Sequence, residues 1–268
     1  MTAATTPHRY RVRTREVETA DTATLSLVPV DEAVETPRPG QLMMLTAFGF
    51  GEAPISVSGG NSDGTLVHTV QAAGPITRAL HAAAPDTMVG VRGPYGTGWD
   101  VERSGARDLV FVAGGIGLAS LRPAIWAATE SKHHGRIVVL VGARTPGDLL
   151  FSHDLATWER RPDVALSVTV DQAEVGWRAN VGLVTSLIKR ATFEGSRTTA
   201  FVCGPEVMMR VVARALIDRG LSESDIRLSL ERNMRCATWS CGRCRLGPLL
   251  TCRDGPVVRL DEAGLLDG

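Results

Sequence analysis

Along the first hundred residues, apolar and polar positions alternate in short runs. The alternation covers 10–17 and 22–30, an apolar run covers 42–46, and further runs cover 54–58, 65–71 and 87–91. Glycine and proline punctuate the gaps, so each run reads as a strand closed by a turn. Within 76–83, Ile76, Leu80 and Ala83 fall on one helical face and predict a single short helix. Six short strands at this spacing predict a small antiparallel barrel.

Beyond residue 103 the period changes. Continuous apolar runs at 109–113, 137–142, 165–170, 200–203 and 226–230 alternate with helical stretches at 118–129, 183–190 and 206–219. In the last stretch Val207, Met208, Val211, Val212, Ala215 and Leu216 form the expected buried stripe, with Gly220 as its stop signal. Met208 is thereby expected in the core. Strand–helix alternation predicts a parallel sheet covered on both faces. The expected division is a barrel over 1–103, an α/β domain over 104–230 and a small cysteine-bearing lobe over 231–268.

Charge narrows the function classes. The 29 basic and 29 acidic residues leave no excess for a nucleic-acid partner. Two Tyr and six Phe are too few for a base-stacking platform. No stretch approaches the length of a membrane span, and the N-terminal residues lack the apolar core of a signal peptide. The cytoplasm is the expected compartment, and disulfides are not expected there.

Five cysteines are present, and four of them cluster near the C-terminus. Cys236, Cys241, Cys244 and Cys252 have the spacing C-x4-C-x2-C-x7-C. Structural zinc prefers two close pairs separated by a longer spacer. C-x4-C-x2-C followed by a later cysteine is the plant-type [2Fe–2S] arrangement. The spacing favours the cluster, with zinc as the alternative. Small residues between the thiols (Ala237, Ser240, Gly242, Gly247) let backbone N–H groups approach sulfur. Cys203 lies far away and is not counted as a ligand.

Two glycine turns sit at strand ends. Gly114-Gly115-Ile116-Gly117 runs from one expected strand into a helix, where free N–H groups favour a pyrophosphate. It is not the G-x-G-x-x-G fingerprint, and alone it reads equally as a structural turn. Cys203-Gly204-Pro205-Glu206 opens the Met-rich helix. Ligands of open parallel sheets lie beyond the carboxyl ends of strands, so both turns point to one crevice. In the barrel, Glu52-Ala53-Pro54-Ile55-Ser56, Gly74-Pro75-Ile76-Thr77 and Gly93-Pro94-Tyr95-Gly96 are further turns in the same ordered series.

On these residues, with Gly142-Ala143-Arg144, the stretch 230–236 and Cys252-Arg-Asp-Gly-Pro256, the chain resembles the ferredoxin–NADP reductase superfamily over nearly its whole length. Within it, the likeness is strongest to hydrogenase (sulfhydrogenase) gamma subunits of diaphorase type and to the corresponding subunit of anaerobic sulfite reductase. The electron-transfer subunit of dihydroorotate dehydrogenase is similar in layout. The resemblance implies FAD in the barrel, NAD(P)H in a Rossmann-like domain and a [2Fe–2S] cluster in the C-terminal lobe. Carried over by position, Ala53, Pro54, Ile55 and Ser56 would line the isoalloxazine, and Gly74 and Thr77 the FAD pyrophosphate. Gly114, Gly115, Ile116, Gly117, Cys203, Gly204 and Glu206 would border the nicotinamide nucleotide. One departure stands out: many members read Arg-x-Tyr-Ser where this chain has Ala53-Pro54-Ile55-Ser56.

These cofactors would form one wire, because a flavin converts between two-electron hydride and one-electron cluster chemistry. No catalytic side chain is required, and no nucleophile–His–Asp set stands out. His133 and His134 read as an exposed helix end, and His68 and His81 lack metal-type spacing. Five arginines (232, 235, 243, 245, 253) surround the cysteines against Glu231 and Asp254. They read as a solvated face or as a docking face toward an acidic partner. The expected partners are hydrogenase small and large subunits or other iron–sulfur subunits. A non-catalytic relay or zinc-stabilised docking subunit is the alternative of another class.

Overall fold

The computed structural model describes residues 6–131 and 133–266, and the chain falls into two compact units. The first unit holds the described residues through Gly98 together with Glu231–Val257. The second holds Trp99–Leu230 and the described residues from Val258 onward.

The first unit is built on β1 (His8–Thr19), β2 (Thr22–Pro29), β3 (Leu42–Ala47), β4 (Gly51–Gly60), β5 (Leu66–Gln71), α1 (Pro75–His81) and β6 (Met88–Tyr95). The six strands close into an antiparallel barrel in the order β1-β2-β5-β4-β3-β6, as their alternation predicted. Alternate residues such as Tyr10, Val12, Leu25, Leu27, Val89 and Val91 fill the interior, capped by Leu80 of α1. Strand β3 departs from alternation because Leu42, Met43, Met44 and Leu45 are all buried. Met43 and Leu45 face the barrel core, while Leu42 and Met44 face outward into a second cluster with Tyr95 and Ala237. A strand covered on both faces loses its alternation for this reason.

The second unit contains β7 (Asp108–Gly114), α2 (Gly117–Glu130), β8 (Ile137–Ala143), α3 (Ser152–Glu159), β9 (Val164–Val170), β10 (Asn180–Val181), α4 (Thr185–Arg190), β11 (Thr198–Cys203), α5 (Glu206–Asp218) and β12 (Ile226–Ser229). Two two-residue strands, β13 (Arg245–Leu246) and β14 (Leu249–Leu250), form a hairpin within the cysteine segment. β15 (Val257–Arg259) and α6 (Leu260–Ala263) follow. The large sheet runs β10-β9-β8-β7-β11-β12-β15 and is parallel at every register determined from β10 to β12. This is the parallel sheet that strand–helix alternation implied and the Rossmann-like domain that the family resemblance implied. Phe111 and Phe201, neighbours on β7 and β11, stack with ring centroids 4.9 Å apart at its centre.

The structure corrects two expectations about helices. Helix α3 was missed, since its Leu155 and Trp158 face the core but offer too short an apolar stripe to show a period. Helix α5 buries Met209, Val212, Ala213 and Leu216, while Val207 and Val211 are exposed and Met208 is half-buried. Its apolar surface is wide enough to admit either stripe, and packing against the sheet selects the one that holds Met209. Met208 therefore stands at the edge of the glycine turns and not in the core.

Candidate functional site

The two glycine turns of the second unit interlock. A Cβ added to Gly117 would lie 2.3 Å from the Cys203 carbonyl oxygen and 2.7 Å from the Gly204 nitrogen. A Cβ on Gly114 would lie 2.2 Å from the Met208 sulfur. Gly204, with φ +159°, would meet the Met208 methyl at 2.6 Å. Met208 thus fills the space between the ends of β7 and β11, a role that no spacing signal in the sequence revealed. Gly115 is the contrast: it is exposed, has φ +53°, and has nothing within 4 Å where a side chain would begin. Left-handed backbone with open space above it is what close approach of a ligand requires.

The remaining predicted residues of this unit belong to the same two turns. Ile116 is half-buried at the N-cap of α2, Cys203 is buried, and Glu206 in the first turn of α5 pairs with Arg210 at 3.0 Å. Arg144 is largely exposed and bound to Asp148 at 3.0 Å. The Arg122 guanidinium of α2 contacts Asp154 and lies 4.7 Å from the Phe151 ring centre.

In the first unit, register decides which side chains point where. Met44 pairs with Pro54 and Leu42 with Ser56, so Pro54 and Ser56 share the outer face. Ile55 pairs with Met43 and packs inward against the barrel core. Ala53 is half-buried between Glu52 and Pro54. Gly51 brings this strand against α1, with an added Cβ 3.2 Å from Ile76 Cδ1. At the start of α1, the Gly74 N–H donates to Thr77 Oγ1 at 2.8 Å, so Thr77 serves as the cap of its own helix.

The same outer face carries the cysteine segment. Ala237, between Cys236 and Cys241, is fully buried against Leu42, Met44 and Tyr95, and Met234 packs beside it. Arg92 on β6 pairs with Met44 and is almost wholly buried. Its guanidinium holds Glu52 with two bonds, Nε to Oε1 at 2.8 Å and Nη2 to Oε2 at 2.5 Å. The Arg92 Nη1 also donates to the Tyr95 hydroxyl at 3.0 Å and to the Cys236 carbonyl at 3.4 Å. Burial alone would raise the Glu52 carboxyl, but the Arg92 fork, its charge and the Thr46 hydroxyl hold it below the usual range. No sequence pattern signalled this pair, because its members are 40 residues apart.

The structure brings Cys244 and Cys252 together, their sulfurs 3.3 Å apart and both buried. Cys236 is half-buried and accepts the Thr238 N–H at 3.4 Å, while Cys241 is exposed. Among the described residues, no three His, Cys, Asp or Glu side chains converge on one point as a metal ion would require. Burial and the Cys244 contact push the Cys252 thiol up. Desolvation opposes ionisation of Cys236, yet hydrogen bonds from Ser240, Cys241 and Thr238 bring its thiol down. Ala237 and Trp239 take left-handed φ values of +57° and +51°, folding the loop so that backbone N–H groups turn toward sulfur. Of the surrounding arginines, 235, 243, 245 and 253 are exposed, and Arg253 is paired with Asp254 at 2.8 Å. His68 is buried in the barrel wall, its Nδ1 3.0 Å from the Ser56 carbonyl, and its Nε2 has no hydrogen-bond partner among the described residues.

Comparison with known proteins agrees with this architecture. The family model for an oxidoreductase NAD-binding domain matches residues 111–214. The sulfhydrogenase 2 gamma subunit of Pyrococcus furiosus is 33% identical over 279 residues, covering 96% of this chain and 97% of that protein. A dihydroorotate dehydrogenase B (NAD(+)) electron transfer subunit of Thermoplasma volcanium is 33% identical over 225 residues, covering 84% and 80%. Among solved structures, an NADH-dependent reduced ferredoxin-NADP oxidoreductase superposes with TM-score 0.76 at 23% identity, covering 98% of this chain and 93% of that one. A ferredoxin NADP+ reductase from Neisseria gonorrhoeae superposes with TM-score 0.69 at 15% identity, covering 82% and 96%. Barrel and parallel sheet together define the ferredoxin reductase-type fold. The chain belongs to the ferredoxin–NADP reductase superfamily, in its sulfhydrogenase gamma-subunit type, as an NAD(P)H-dependent electron-transfer subunit. No described helix is long and apolar enough to cross a membrane.

Proposed function

We propose that this chain is the diaphorase subunit of a cytoplasmic redox complex, linking NAD(P)H to single-electron acceptors through FAD and a [2Fe–2S] cluster, within a nickel–iron hydrogenase. The observation that carries this reading is the shared outer face of β4, β3 and β6. Pro54 and Ser56 lie on that face, and the cysteine loop covers Leu42 and Met44 on the next strand. Neighbouring strands are about 4.8 Å apart, so the flavin bench and the cysteine loop are one strand removed.

Ala53, Pro54, Ile55 and Ser56 would line the isoalloxazine, Ile55 through its backbone since its side chain packs inward. Gly74 and Thr77 would meet the FAD pyrophosphate. Gly114, Gly115, Ile116 and Gly117 would receive the nicotinamide nucleotide with Cys203, Gly204 and Glu206. The open left-handed backbone at Gly115 fits such a ligand, and it stands at the N-terminus of α2, where the helix dipole favours a pyrophosphate. Cys236, Cys241, Cys244 and Cys252 would hold the cluster. The C-x4-C-x2-C-x7-C spacing supports an iron–sulfur centre: the Cys244 and Cys252 sulfurs are in contact, the Thr238 N–H reaches the Cys236 sulfur, and Cys236 and Cys241 would close on that pair to complete the set. When bound, flavin and cluster supply the exchange between hydride and single electrons. The protein's part is to hold the two benches on one rigid sheet face and to leave the Gly115 backbone accessible.

The sulfhydrogenase relatives support hydrogenase small and large subunits as partners. The dihydroorotate dehydrogenase relatives favour a second reading, with a different partner subunit for the same electron-transfer role. The test is the visible spectrum of protein purified without oxygen, before and after adding NADH and, separately, NADPH. Flavin and iron–sulfur absorption that bleaches on addition supports the reading. A zinc-containing protein without iron, or a spectrum indifferent to both nucleotides, overturns it.

A further inference from the structure

We propose that Arg92 is a positioning residue that pins the Cys236 loop to the flavin-bearing sheet face and, with Glu52, sets the charge shared by the two. The inference rests on the cofactor assignment above. Arg92 contacts both sides: Glu52 precedes Ala53-Pro54-Ile55-Ser56, and the Cys236 carbonyl belongs to the cysteine loop. Tyr95 ties the same guanidinium to the cluster of Leu42, Met44 and Ala237 that seats the loop.

The chemistry requires arginine. A planar fork can satisfy both Glu52 oxygens and still direct Nη1 toward Tyr95 and Cys236, whereas a lysine ammonium cannot span that spread. A buried pair of this kind contributes little net stability, since desolvation offsets most of the attraction. Its consequence is geometric and electrostatic. It holds the loop at a fixed distance from β4 and presents a compensated pair of charges beside both benches. Removing Glu52 leaves the buried Arg92 charge unbalanced, and removing Arg92 leaves the half-buried Glu52 carboxylate without its counter-charge.

Three variants separate these effects: Arg92→Lys, Arg92→Gln and Glu52→Gln. Hydrogen–deuterium exchange of residues 234–244 is read in each, with amides of β1 and β2 as an internal reference. Loss of charged hydrogen bonds should accelerate exchange of the loop about tenfold in both Arg92 variants, with the reference amides unchanged. The midpoint potential of the iron–sulfur centre is read in the same proteins by electron paramagnetic resonance. Arg92→Gln should lower it, because an unpaired Glu52 disfavours the more negative reduced centre. Glu52→Gln should raise it, and Arg92→Lys should stay near the parent value. Unchanged loop exchange, or shifts of the same sign in the two Gln variants, would overturn the proposal. Wild-type protein without iron would instead defeat the cofactor assignment, and loop exchange alone would then decide whether Arg92 pins the segment.

Discussion

The carbonyl oxygen of Cys203 lies 2.3 Å from the point where a side chain on Gly117 would begin. The two strand-end turns are therefore in backbone contact, and a methyl group cannot be added without moving β11 or α2. Gly117→Ala should lower the stability of the second unit by about 2 kcal/mol or more, as overpacking against fixed backbone does. Gly115→Ala meets no atom and should cost only the left-handed conformation, about 1 kcal/mol. Thermal melts of the two variants give the comparison, and equal losses would contradict the packing.

Gly115 is also where the nucleotide reading is most exposed to test. Gly115→Glu places bulk and negative charge at the open turn, so NADH- or NADPH-driven dye reduction should fall to background. Flavin content should stay at the parent level, because the substitution lies outside the barrel unit. Retained activity would remove the assigned nucleotide site.

For the metal, anaerobic protein should carry about two iron and two sulfide per chain, as a single [2Fe–2S] centre requires. Cys252→Ser should deplete both. Cys203→Ser should leave them intact, since Cys203 belongs to the strand-end turn of the other unit. Iron analysis of the two variants distinguishes ligand from bystander.

His68 provides a pH signature. It is fully buried beside Leu66 and Val70, and desolvation lowers its pKa to about 4 despite the bond to Ser56. The unfolded chain, at about 6.5, binds the proton first as pH falls. The neutral ring's contribution is therefore complete above pH 6.5 and is lost progressively toward pH 4. At pH 5 the loss amounts to about 2 kcal/mol by linkage. Denaturant melts at pH 7 and pH 5 should show this drop in the parent, and His68→Leu should remove that part of it.

The exposed arginines 235, 243, 245 and 253 flank the cysteines, as does Trp239, itself half exposed. If they form the electron-exit face, transfer to an acidic partner should slow as salt rises, through the association rate. Mass spectrometry of the native complex should find an iron–sulfur subunit and a metal-bearing large subunit. A lone monomer with full physiological activity would end the partner reading.

Local chemistry explains what could be read from the chain alone. Barrel strands announce themselves by alternation, the parallel sheet by unbroken runs, and both glycine turns by residues that only tight backbone needs. The cysteine spacing is likewise local, and so is the likeness to the reductase superfamily. Position relative to distant residues was another matter. The run from Leu42 to Leu45 is visibly apolar, yet only the fold reveals that Ala237 covers its outer half. Helix α5 has apolar residues enough for two stripes, and packing against the sheet selected Met209 while leaving Met208 over Gly114 and Gly204. The Arg92–Glu52 pair joins strands separated by 40 residues, and His68 gave no hint of complete burial. Periodicity records which way a side chain faces on its own element, whereas ion pairs, burial and shared faces depend on which elements meet. Those meetings are set by the register of the closed barrel and the order of the parallel sheet.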